Sequence, residues 1–434
     1  MKPVQIRRLR SHVVASVVAL MSVAVPVAAE DDADRLGEIE KQVQILTEEL
    51  ERLRLGEVAE PAKEPKYGLG PAASKVYRLA KPGVSIAGYG EALYQNVSDS
   101  NENDDPSGRL DEIDFVRAVL YSGFKFSDWI IFNSELEFEH ASTGKRGEVS
   151  VEFAYLDLLL SDPVNVRAGM LLVPVGIVNE RHEPSTFHGS RRTEIEQVII
   201  PSTWRANGAG VFGEIVSGVA YRLYLVEGLN AAGFTAGGIR GGRQSGSRAV
   251  AEDFGVSGRI EYDGLLGAKF GGSFYAGNSG QAASDSLGGV SAMTSVVSVH
   301  GDYARRGLEM RALYAMATVD DAGRLNALLD LTGMRSIGEE MSGWYATAAY
   351  DVLPLLVRGT RQGLSPFVQY QSLNTQEAVP SGFDPDPANE RTVLTVGLTY
   401  KPDPNVAIKF DHQSMKNEAE TGVDQWNLAI NYLF

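Results

Sequence analysis

The side chains able to act on ions gather in one long stretch, residues 173–207, which lacks any strand pattern. It carries Glu180, Arg181, His182, Glu183, His188, Arg191, Arg192, Glu194, Glu196 and Arg205. Long connections inside compact folds are usually functional. Folded into a narrow, low-dielectric passage, such residues would act through their electric field rather than by making bonds. Arg117, Arg167, Arg222, Arg259 and Arg311 fall at positions facing the same interior, and guanidinium groups steer anions and grip oxyanions in bidentate fashion. Glu135, Glu137, Glu139 and Glu152 fall on inward positions too and oppose them. The expected lining set is therefore Arg117, Glu135, Glu137, Arg167, Arg181, His182, Arg191, Arg192, Arg205, Arg222, Arg259 and Arg311, a mixed ring in which arginines attract anions.

Other chemistry finds little support. There is no Gly-x-Ser-x-Gly elbow, phosphate loop or dinucleotide fingerprint, and His140 and His300 stand without visible catalytic partners. Asp99, Asn101, Asn103, Asp104 and Asp105 crowd one segment, but a calcium loop would need glycine where Asp104 stands. His182 and His188 lack the i, i+4 spacing of a zinc pair, and the absence of cysteine removes thiol chemistry. No catalytic role, metal or cofactor is expected. A formal charge of −16 argues against nucleic acid, which calls for a basic footprint.

The elements that position these residues begin after an export signal. Lys2, Arg7, Arg8 and Arg10 form a positive head, Val13 to Val25 an apolar middle, and Val27-Ala28-Ala29 a small-residue cleavage site, so residues 1–29 read as a signal peptide. In residues 30–55, Leu36, Ile39, Val43, Leu46, Leu50 and Leu53 alternate spacings of three and four, a heptad seam for a parallel homo-oligomer. A lone amphipathic helix is the alternative. Residues 56–82, with Pro61, Pro65, Pro71 and Pro82, read as a linker.

From Gly83 to Phe434 the pattern has period two, and no later run of about 18 apolar residues could form a spanning helix. About sixteen strands are expected, near 83–97, 109–126, 129–140, 148–160, 164–172, 208–216, 219–227, 251–262, 267–277, 293–304, 308–319, 342–352, 364–373, 390–400, 405–416 and 423–434. Tight turns such as Ser217-Gly218 and Asp263-Gly264 alternate with long loops, the habit of membrane barrels. Ile130, Phe132, Leu136 and Phe138 alternate with Asn133, Glu135, Glu137 and Glu139, which alone fits a soluble sandwich or a transmembrane barrel. Trp426, Leu428, Ile430, Tyr432 and terminal Phe434 favour the barrel, because this ending resembles the insertion signal of bacterial outer-membrane proteins.

The arrangement over residues 83–434 resembles the phosphate-selective porins of the O and P type. The similarity is clearest in Arg167-Ala168-Gly169, Pro174-Val175-Gly176, Glu180-Arg181, Trp204-Arg205, Gly208, Gly210 and Gly213-Glu214. The resemblance implies a trimeric outer-membrane β-barrel of sixteen strands whose third long loop, residues 173–207, folds inward. It also implies passive diffusion of small hydrophilic solutes, phosphate-like anions among them. Lipid, the outer-membrane assembly machinery acting on Phe434, and other copies of the chain are the expected partners. The alternative is a structural protein tethering the membrane to the cell wall through the coiled coil.

Overall fold

The computed structural model describes residues 66–141, 147–281, 289–357 and 359–434, so the expected signal peptide and coiled coil lie outside the described residues. Sixteen antiparallel strands follow one another around a closed barrel. The first half comprises β1 (Gly83–Val97), β2 (Glu112–Lys125), β3 (Ile130–Glu139), β4 (Val149–Leu158), β5 (Asn165–Leu172), β6 (Arg205–Val216), β7 (Val219–Glu227) and β8 (Phe254–Leu265). The second comprises β9 (Ala268–Asn278), β10 (Met293–Arg305), β11 (Leu308–Val319), β12 (Glu340–Tyr350), β13 (Gly363–Ala378), β14 (Glu390–Asp403), β15 (Val406–Asn417) and β16 (Gln425–Leu433). Pairing of β1 with β16, in register from Tyr89 opposite Leu433 to Val97 opposite Gln425, removes the last free edge. Phe434 completes that seam by exchanging backbone hydrogen bonds with Gly88 (2.9 and 3.0 Å).

The polarity of the wall is inverted relative to a soluble protein. Phe138, Leu156, Leu225, Val297, Val299, Val396, Phe410, Leu428 and Ile430 are exposed on the outside. Their neighbours in sequence, Glu137, Asp157, Ser298, Thr395, Lys409, Asp411, Asn427 and Asn431, are buried inside. Period two therefore sends one face to an apolar solvent and the other to a polar interior, which a sandwich cannot do. No described helix is long and apolar enough to cross a membrane.

Two expectations are corrected. Asp263-Gly264 is not the turn after β8; the strand runs on to Leu265 through a register shift, and the chain reverses at Leu266-Gly267. Gly267 sits at φ +80°, a left-handed conformation open to glycine at little cost. The expected linker is the second difference, because from Lys66 onward the chain packs inside the barrel. Leu69, Ala72, Ala73, Val76 and Tyr77 belong to the buried core, and Lys75–Arg78 forms a single 3-10 turn against the wall.

Candidate functional site

The segment between β5 and β6, residues 173–204, folds into the lumen. Its two ends are tied together by Asn179, whose Nδ2 donates to Val173 O (2.6 Å) and Trp204 O (2.9 Å) while its Oδ1 accepts from Trp204 N (2.6 Å). Glu196 closes the loop on itself. Its carboxylate accepts from Ile177 N (2.5 Å), Val178 N (2.7 Å) and the Tyr345 hydroxyl of β12 (2.7 Å). Gly176, at φ +73°, lies where a Cβ would strike that carboxylate and Ile200.

From this knot the loop reaches across to the wall on several sides. Arg259 of β8 donates to Gly176 O, and Ser273 Oγ of β9 accepts from Gly176 N (3.1 Å). His182 Nε2 meets Glu135 of β3 at 2.9 Å. On the far side, buried Lys409 of β15 donates to Pro184 O (2.5 Å), Phe187 O (2.7 Å) and Gly189 O (3.0 Å). Asp411 accepts from Ser190 N (2.7 Å), and Gln371 of β13 accepts from Glu194 N (2.9 Å).

Of the twelve residues expected to line the interior, Arg117, Glu135, Glu137, Arg167, Arg205, Arg222, Arg259 and Arg311 lie on strands and Arg181, His182, Arg191 and Arg192 on the loop, and most are ion-paired. Arg117 bridges Glu137 (2.8 Å) and Glu91 (3.3 Å), and Arg167 pairs with Asp157 (2.8 Å). Arg222 and Arg259 hold Glu261 at 3.0 and 2.8 Å, with Arg181 at 3.3 Å and Glu180 beside both strand arginines. Arg311 pairs with Asp302 (2.5 Å), and Arg205 pairs with Glu152. Burying so many charges is tolerable because each is matched.

Arg191 and Arg192 differ. Among the described residues neither makes an ion pair: Arg191 stands exposed in the lumen, and Arg192 donates to His182 O (3.3 Å). Three arginines outside the expected set join them. Arg109 reaches Gln425 (3.4 Å), Arg240 donates to Gln197 O (3.4 Å), and Arg243 donates to Thr203 O (2.7 Å). Burial, and then Arg243 and Arg192 nearby, pushes Arg240 down to about 9. Burial and then Arg117 likewise hold Arg192 below the usual arginine value. These groups repel one another across water-accessible space, so the arrangement is short of negative charge.

That space consists of two neighbouring cavities on the long-loop side of the constriction. One, of about 450 Å³, is bordered by Arg109, Arg117, Arg191, Arg192 and Arg240, with Glu91, Glu112, Asp114 and Glu139. The other, of about 250 Å³, lies between the loop and the wall from β13 to β16; its charged lining is Arg109, Arg191, Arg192 and Arg391 against Glu194 alone. Gln371, Gln413 and Gln425 supply amides there. Sequence reading missed Arg109, Arg240, Arg243, Arg391 and Lys409. The first three lie in loops without periodicity; a lack of acidic neighbours in the chain hinted at Arg240 and Arg243, whereas Arg109 is followed by Asp111 and Glu112. No group of three or more metal-ligating side chains occurs among the described residues.

No protein-family model matches the chain. An uncharacterized protein of Aquifex aeolicus (strain VF5) is 37% identical over 394 residues, spanning 88% of this chain and 87% of its own length. Three solved structures share the fold over 82% of this chain. They are Salmonella typhi OmpF in complex with daunomycin (13% identity, TM-score 0.54, 98% of that chain), an anion-selective porin from Comamonas acidovorans (11%, 0.52, 100%), and the outer membrane channel DcaP of Acinetobacter baumannii (11%, 0.51, 98%). At such identities the likeness is one of fold.

Proposed function

Because the chain belongs to one family with the Aquifex aeolicus protein and has the fold of outer-membrane porins, we propose that it is an outer-membrane channel. In this reading small hydrophilic solutes cross it by diffusion, with anions preferred. One observation carries the preference: Arg109, Arg191, Arg192, Arg240 and Arg243 line or flank the passage without a carboxylate partner among the described residues. In a confined space bounded by low-dielectric walls, such a surplus raises local anion concentration and lowers that of cations. Phosphate-like oxyanions suit it best, since guanidinium donors match their geometry. This agrees with the resemblance to the phosphate-selective porins.

Homotrimerisation belongs to the same reading. Ser122, Ser134 and Ala154 lie side by side on the outer face of β2, β3 and β4, a flat strip against which another barrel would pack. Planar-bilayer recording of the purified protein tests the proposal. Steady ohmic steps with a reversal potential on the anion side of a KCl gradient are expected; a silent protein, or one preferring cations, would overturn it.

A further inference from the structure

Residues 66–79 are not part of any strand, yet they lie within the barrel at the mouth formed by the short turns. They run past seven consecutive strands of the sixteen, from β1, where Lys75 Nζ donates to Ile86 O (3.0 Å), to β7. Val76 sits over the bare Cα of Gly123, and Lys125 Nζ donates to Leu79 O (2.8 Å). Asn133 Nδ2 donates to Ala73 O (2.9 Å). The Tyr77 hydroxyl donates to Asp157 (2.7 Å) and accepts from Arg167 (3.3 Å). Tyr67 packs edge-on against Tyr77 and Phe212, with ring centroids 4.9 and 5.2 Å apart. At the far end a Cβ on Gly68, which has φ +88°, would run into the Arg222 guanidinium.

The segment also grips the constriction loop. Glu183 Oε1 accepts from Ala72 N (3.0 Å) and Ala73 N (3.1 Å), and Arg181 Nε donates to Gly68 O (3.4 Å). A cavity of about 650 Å³ opens to this mouth, and Lys66, Tyr67, Gly68 and Tyr77 form part of its wall. Loop and segment thus share the lumen between them: the loop is fastened to β3, β7–β9 and β11–β15, the segment to β1–β7.

We infer that residues 66–79 are a second constriction element, a stopper that sets the size limit of the channel at the short-turn mouth while the arginines on the other side set its charge preference. This rests on the channel reading above. Size and charge selection are then separable, because Arg109, Arg191, Arg192 and Arg240 border the long-loop cavities and none of the unpaired arginines lines this one.

The test uses the full chain with residues 66–79 replaced by a Gly/Ser segment of equal length, its folding checked by heat-modifiable migration in gels. Conductance in planar bilayers, and its dependence on polyethylene glycols of graded size, is compared with that of the unaltered protein. Expected are a rise in conductance of about twofold, entry of larger polymers, and an unchanged reversal potential. A Tyr77→Ala variant, which leaves the Arg167–Asp157 pair intact, should shift both size readouts the same way by a smaller step. A folded replacement with unaltered conductance and polymer cut-off overturns the stopper. If the replacement does not fold, unaltered values for Tyr77→Ala overturn it instead. Absence of any conductance in the unaltered protein would refute the channel reading itself.

Discussion

Neutralising Arg191 is the sharpest probe of the charge preference. Arg191 is exposed in the lumen and has no ion-pair partner among the described residues, so Arg191→Gln orphans no carboxylate. The smaller long-loop cavity, about 250 Å³, has four arginines and one glutamate in its lining. A sphere of that volume has a radius of about 4 Å, a separation at which two unit charges interact by about 1 kcal/mol in water and about 4 kcal/mol at an effective dielectric of 20. The lumen is wet and salt screens it, so the lower figure applies. About 1 kcal/mol corresponds to about a fivefold change in local anion occupancy, with an opposite change for cations. Arg191→Gln should therefore lower the anion-to-cation permeability ratio by about fivefold or more. The assay is the reversal potential in a KCl gradient at low total salt, and the shift should shrink near 1 M, where the Debye length falls to about 3 Å. Arg306→Gln, at the exposed turn between β10 and β11, is the control and should move nothing. A folded Arg191→Gln channel with the reversal potential of the unaltered protein would refute the reasoning.

The remaining predictions concern how the interior is held. Burial pushes the Glu183 carboxyl up to about 7, against the pull of the Ala73 N–H and the neighbouring His182, while Glu135 adds to the rise. Burial lowers His182 as well, but the facing Glu135 carboxylate outweighs it and the net shift is upward, with Arg192 opposing. Both groups prefer the proton in the packed interior, so burying this part of the loop under the stopper is most favourable at low pH, even though the Ala72 and Ala73 N–H groups bind the carboxylate. Glu183 loses its share as pH climbs from its ordinary 4.5 to about 7, and His182 loses its share above 6.5, through its raised value. The Glu183 contribution is on the order of 3 kcal/mol. Amides of residues 66–79 should thus exchange faster at pH 8 than at pH 5 after correction for intrinsic rates, and Glu183→Gln should flatten most of that difference; equal protection at both pH values in the unaltered protein would contradict it. Lys409→Met strands three buried carbonyls at about 1–3 kcal/mol each. It should raise open-channel noise and tryptic cleavage after Arg191 and Arg192; a quiet, resistant variant would show that the loop is fixed elsewhere. Phe434→Ala should reduce the heat-modifiable barrel recovered from outer membranes, and undiminished yield would remove Phe434 from the assembly signal.

The strands were legible because their cause is local. Inward side chains are mostly polar and outward ones mostly apolar at alternate residues, and that constraint is written along the chain in Ile130 to Glu139 as plainly as in Trp426 to Phe434. Turn positions were less so: Asp263 and Gly264 are good turn residues, but Gly267 had the backbone freedom where the barrel needed it. Residues 66–82 misled because Pro71 and Pro82 read as a linker, whereas the partner that fixes Ala72 is Glu183, 111 residues away. The same distance problem hid which arginines are neutralised. Parity placed Arg222 inside and the inward loop was expected to carry Arg205, but only the folded structure brings Glu261 and Glu152 to them.

An acidic chain can present a basic passage, because the field there is a remainder after pairing rather than a sum over residues. On the wall Glu137, Glu152, Asp157, Glu261 and Asp302 each have an arginine, and Glu135 has His182. Those pairs cancel at short range and fill the lumen with matched charges, so that removing one member leaves a buried charge uncompensated and acts on folding first. What is left over is carried by loops: Arg191 and Arg192 from the constriction, Arg109 after β1, Arg240 and Arg243 after β7. Loops change without disturbing the strand registers that the wall requires. The overall charge of −16 is therefore free to serve the outer surface, while the sign of the passage rests on a handful of residues whose exchange would cost the barrel little.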